Sequence, residues 1–190
     1  MRAELILAAF TFVNIVTALP AVAQQPAQPE PTPKTKIEAF QVQTGTVVIK
    51  GYAKIGRVSA MGAVEISAME FTDAATNKKQ TGVVIEIKEA GRLENEDRSF
   101  IDYDEVDALL KGIDYISKAT VDVTKLGQFE ATYKTKGNFS ATTYSTGSGE
   151  IAAAVRSGHV RPTTAFLSLE QLAKVRDLVD QAKQKLDEAK

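Results

Sequence analysis

The sequence predicts an α+β fold made of two tandem repeats of four antiparallel strands followed by a helix, packed as one domain. Three observations predict it. Short runs that alternate apolar and polar residues come in two groups, each ahead of an amphipathic stretch. Helix-start patterns recur at an offset of 66, from Phe100 to Phe166. Glycine- and asparagine-containing segments of hairpin length separate the second group of runs.

The first element is a leader. In "MRAELILAAFTFVNIVTALPAVA", Arg2 precedes an apolar stretch from Leu5 to Val16, followed by Pro20 and the small-x-small triplet Ala21-Val22-Ala23. This is the layout of a secretory signal cleaved after Ala23. Asn14 interrupts the apolar run, which is shorter than the roughly 20 residues of a membrane-spanning helix. Residues 24–36, "QQPAQPEPTPKTK", alternate proline with polar residues and read as an extended linker. Residues 37–190 then form the single folded domain.

The first strand group is "GTVVIKGYAKI", "AVEISAMEFT", "TGVVIEIKEA" and "RSFI". A helix follows from about Tyr103 to Lys118, with Val106, Leu109, Leu110, Ile113 and Ile116 on one face. The second group is "QFEATYKT", "NFSATTYS", "GEIAAAVRS" and "TTAFL". In it, Phe129, Ala131 and Tyr133 alternate with Glu130, Thr132 and Lys134. The second helix begins near Leu169 and carries Leu172, Val175, Val179, Ala182 and Leu186 on one face. That stripe is expected to pack on the protein's own sheet.

At the offset of 66, Ile101 meets Leu167, Val106 meets Leu172, Leu109 meets Val175 and Ile113 meets Val179. Asp102 and Ser168 stand at helix N-cap positions, with Glu105 and Gln171 three residues on, which is the capping-box spacing. Ile101 with Val106, and Leu167 with Leu172, have the spacing of a hydrophobic staple. Phe100 meets Phe166, and Phe166 is assigned to the core.

This doubled plan, with its junctions "FIDYDEV" and "FLSLEQL", resembles the Whirly and Pur-alpha families of single-strand nucleic-acid binders from about Thr46 to Lys190. The resemblance implies open sheet faces that carry basic and aromatic side chains. The chain is also similar to small exported bacterial proteins.

Composition narrows the chemistry. With 23 basic and 24 acidic side chains the net charge is −1, which offers no broad attraction to nucleic acid or anionic membrane. There is no cysteine and one histidine, His159, so disulfides, thiolate sites and multi-histidine metal sites are excluded. "DYDEVD", Asp102 to Asp107, lacks the glycine and glutamate of a calcium loop and reads as acids gathered at a helix N-terminus. "GSGEIA", Gly147 to Ala152, matches a dinucleotide fingerprint in letters only, since no full helix follows before Gly158 and Pro162.

The function expected is that of an exported, periplasmic or secreted, non-enzymatic domain that binds an envelope protein partner or a small ligand. Neither a cofactor nor a metal is expected. In "SGHVRP", Arg156, His159 and Arg161 are the ligand-binding candidates, opposite Glu94 and Asp97 in the corresponding loop of the first half. The alternative is a single-stranded nucleic-acid binder using Lys134, Lys136, Phe139 and Tyr144, in which aromatics stack bases and lysines contact phosphate. Asn138 in "NFS" reads as a turn residue.

Overall fold

A computed structural model describes residues 32–91, 95–159 and 161–189. The leader, most of the linker and Glu94 lie outside these residues. Folding starts earlier than Ile37: Thr35 caps a short helix, α1 (Lys36–Gln41), through a capping box with Glu38. Four strands follow, β1 (Val48–Ala60), β2 (Gly62–Asp73), β3 (Lys79–Lys88) and β4 (Glu96–Asp102), paired antiparallel in the order β1-β2-β3-β4. A 3-10 turn leads into α2 (Val106–Ile116). The second sheet is β5 (Glu130–Lys134), β6 (Ser140–Ser145), β7 (Ile151–Ser157) and β8 (Thr163–Leu167), again antiparallel in sequence order. The chain ends in α3 (Leu169–Glu188). "GSGEIA" falls on the loop from β6 to β7 and on the start of β7 itself.

Alternation decides what each sheet buries. Val64, Ile66, Val83, Ile85 and Ile101 of the first sheet share one core with Ala141, Ala153, Val155 and Leu167 of the second. The apolar stripes of α2 and α3 complete that core. The helices are arranged crosswise: α3 packs on β1, β2 and β3, whereas α2 packs on β5 and β6, and the two helices also pack on each other. Gly112 of α2 makes this approach close, because a Cβ there would overlap the Tyr133 ring. Between the sheets, Ser99 and Ser157 share a buried hydrogen bond of 2.7 Å, and Phe166 donates its amide to the Met61 carbonyl at 3.1 Å.

A second, smaller core lies on the other face of the first sheet. There Ile37 and Phe40 of α1 cover Met69, Phe71 and Val84, with Phe100 packed alongside. Gly82 permits this, since any side chain would strike Ile37 and the Ile101 carbonyl.

Three expectations are corrected. The capping box is present at Ser168 and Gln171, but Asp102 makes no side-chain cap on its own helix. It accepts instead from the amides of Lys36 and Ile37 at 2.9 and 3.1 Å, at the start of α1. Glu105 accepts from the Lys136 amide at 2.9 Å. Phe166 is 45% exposed, because its neighbours Ala165 and Leu167 face the core and strand alternation turns it outward.

Candidate functional site

Each sheet keeps one face outside the shared core, and the two outer faces differ in charge. On the first, Lys88 lies 3.2 Å from Glu86, 3.4 Å from Glu96 and 4.0 Å from Glu65. Arg98 pairs with Glu86 and Glu96, and Arg57 with Glu65. Partial burial pushes the Glu86 carboxyl up, but hydrogen bonds from Arg98 and Lys88 outweigh it and hold the group below its ordinary range. Lys88 is raised, foremost by its hydrogen bond to Glu86. Lys88, Arg98, Glu65, Glu86 and Glu96 border a hollow of about 410 Å³ and largely neutralise one another, with Lys50 and Lys54 on its β1 side.

The second sheet's outer face is built differently. Antiparallel register sets Lys134 opposite Ser140, and Ser140 opposite Arg156, in one cross-strand row. Two strand spacings separate the Lys134 and Arg156 backbones by about 10 Å, so both side chains can reach one small ligand. A hollow of about 270 Å³ lies over this row, and His159 reaches it from the β7–β8 loop. Its floor is hydroxylic: Ser140, Thr132 and Thr142, the last two sharing a hydrogen bond of 2.8 Å. Glu130 stands at one end, accepting from the Thr132 hydroxyl at 3.2 Å, and the Asp97 carboxylate rests against Gly158. Among the described residues neither Lys134, Arg156 nor His159 has an ion-pair partner within 4.0 Å.

The structure therefore brings together residues from both candidate sets. Arg156 and His159 share the hollow with Lys134, whereas Arg161 is exposed and does not line it. Of the nucleic-acid set, Phe139 is fully buried in the core and cannot stack a base. Lys136 is exposed but sits in the β5–β6 loop, tied by its amide to Glu105. Tyr144 follows Ser140 and Thr142 by alternation and so shares their face with Lys134. Phe166, opposite Ala154, adds a second aromatic to that face. Sequence reasoning missed Thr132, Asn138, Ser140, Thr142 and Phe166. Alternation within β5 and β6 marked the hydroxyl residues, but the register that sets them between Lys134 and Arg156 is a long-range property.

The three aspartates of "DYDEVD" take partners within the chain. Asp102 holds α1, Asp104 pairs with Lys36 at 2.7 Å, and Asp107 pairs with Lys183 at 3.2 Å. Among the described residues no group of three or more His, Asp or Glu side chains is placed to hold a metal ion. No helix among them is long and apolar enough to cross a membrane.

No protein-family model, curated protein or solved structure matches the chain.

Proposed function

We propose that this chain is an exported, non-enzymatic binding domain whose second sheet receives an anionic group of a small ligand or envelope partner. The group, of the carboxylate or phosphate class, sits in the hollow between Lys134, Arg156 and His159. The observation that carries the reading is that these three basic side chains, from two strands and a loop, meet over a hydroxyl floor with no ion-pair partner among the described residues. On the first sheet, Lys88 and Arg98 are already neutralised by Glu86 and Glu96. Arginine and lysine flanking hydroxyl donors form a directional anion receptor.

The domain is built from two copies of one unit of four strands and a helix. The element order and the crosswise packing support this reading, for each unit's helix covers the other unit's sheet. The leader and linker support export.

Titration with inorganic phosphate, followed by backbone NMR, tests the site. Saturable shifts at Lys134, Ser140, Arg156 and His159, weakened by salt and abolished by Lys134→Ala with Arg156→Ala, are expected. Shifts scattered over all lysines, or none, would overturn it. Intact mass with cell fractionation tests export: a chain beginning at Gln24 outside the cytoplasm is expected, and an uncleaved chain inside refutes it.

A second reading draws on Tyr144 and Phe166, which flank the basic row on the same face. We propose as the alternative that this face binds single-stranded nucleic acid, with bases on the two rings. Tight, strongly salt-dependent binding of an oligothymidine, lost with Phe166→Ala, would favour it over the small-anion reading.

A further inference from the structure

The long edge strand β1 stands apart from the other sheet edges. It has 13 residues, and Ile49, Lys50, Gly51, Tyr52 and Lys54 are exposed. The β4 edge is approached by the β5–β6 loop, whose Gly137 packs on the Phe100 main chain, and β8 is bridged by Met61. β5 is only five residues long. An open edge presents unpaired amides and carbonyls that an extended chain can satisfy.

The side chains on β1 state what kind of strand fits. Lys50, Tyr52 and Lys54 project from one face and line the hollow there, with Tyr52 66% exposed. Neither lysine has a carboxylate within 4.0 Å among the described residues, and the Lys50 ammonium lies over the Phe71 ring at 5.7 Å. Pairing β1 with a second copy about Tyr52 would set Lys50 directly against Lys54, and like charges in that position repel. Acidic residues there would be attracted. On the opposite face, the edge borders a shallow hollow of about 250 Å³ floored by Gly51, Ala53, Ala68, Leu186 and Ala189, with Glu70 and Lys185 also lining it. An added strand would lay its other side chains in that apolar hollow, where small ones fit.

We propose that β1 receives, by strand addition along Val48–Lys54, an extended segment of a partner protein in which acidic residues alternate with small apolar ones. Main-chain hydrogen bonds supply affinity, the two lysines select charge, and the hollow beside α3 selects size. The anion site of the second sheet plays no part in this surface.

The test uses the full chain and a capped hexapeptide of alternating glutamate and valine, with hydrogen exchange read residue by residue. Exchange at the outward amides between residues 48 and 54 should slow about tenfold or more at saturating peptide, with NMR shifts at Leu186 and Ala189. A peptide of alternating lysine and valine should do neither. Lys50→Glu with Lys54→Glu, both exposed, should reverse that preference while β2 and β3 keep their protection. Equal response to both peptides, no response to either, an unreversed preference, or amides already protected in the free chain would each overturn the proposal.

Discussion

Replacing Asp102 by alanine should free α1 from the first sheet and leave the rest of the domain folded. The Asp102 side chain is 2% exposed and accepts from the amides of Lys36 and Ile37 at 2.9 and 3.1 Å. Each hydrogen bond to an ionised acceptor is worth about 1.5–3 kcal/mol, so losing both costs about 3 kcal/mol or more. The remaining anchorage of α1 is chiefly the burial of Ile37 and Phe40, about 5 kcal/mol together, beside exposed links from Lys34 to Asn138 and from Lys36 to Asp104. Ordering its six residues costs about 6 kcal/mol at the lower end of the usual range. Those two nearly cancel, which leaves the carboxylate to decide whether the helix stays docked. A loss of about 3 kcal/mol corresponds to roughly a hundredfold in the docking equilibrium. Hydrogen exchange at Ala39 and Val42, whose amides are bonded within α1, should accelerate by about that factor. Protection at Val83, Ile85 and Ile87 should persist. Asp104→Ala is the control: its pair with Lys36 is half exposed on both sides and should shift exchange by less than about 1 kcal/mol. Unchanged protection at Ala39 and Val42 in Asp102→Ala would refute the anchoring argument, and so would loss of protection throughout β3.

Gly112→Ala should destabilise by about 1–3 kcal/mol in urea melts, because the new methyl meets the Tyr133 ring; a gain near the 1 kcal/mol usual for glycine in a helix would show that the ring is not held there. Phe139→Ala should cost about 3–5 kcal/mol, Ser168→Ala about 1 kcal/mol, and Phe166→Ala clearly less than Phe139→Ala because that ring is nearly half exposed; denaturant midpoints that rank Phe166 with Phe139 would contradict the register of β8. The Asp73 carboxyl is held below its ordinary value of 3.8, first by the Thr76 amide and further by the Ala75 amide and Thr46 hydroxyl, against a smaller opposing effect of burial. A lowered folded-state value means stability that is present above about pH 4 and lost as the pH falls through that value. Asp73→Asn should therefore flatten the acid limb of the Tm–pH curve, and an unchanged limb would rule this linkage out.

The amino-acid sequence alone determined the elements and their order. Alternation set out eight strands, apolar stripes set out α2 and α3, and the capping box at Ser168 and Gln171 formed as spaced. These signals are local: both partners lie within a few residues, so chain geometry brings them together. α1 straddles the boundary drawn between linker and domain, with only Lys36 in the linker, and its six residues carry too little periodicity to announce a helix. Of the candidate site, Lys134, Arg156 and His159 were visible as basic residues, but their shared face depends on register across three strands.

Phe100 and Phe166 show where local reading stops. Both follow the same alternation and turn away from the shared core. Phe100 is packed into a second core by α1, whereas Phe166 remains 45% exposed. Asp102 divides from Ser168 in the same way, caught by amides 65 and 66 positions earlier in the chain. Side-chain direction along a strand is set by the backbone, residue by residue. What covers that side chain is set by elements distant in sequence, and only the folded arrangement brings them there.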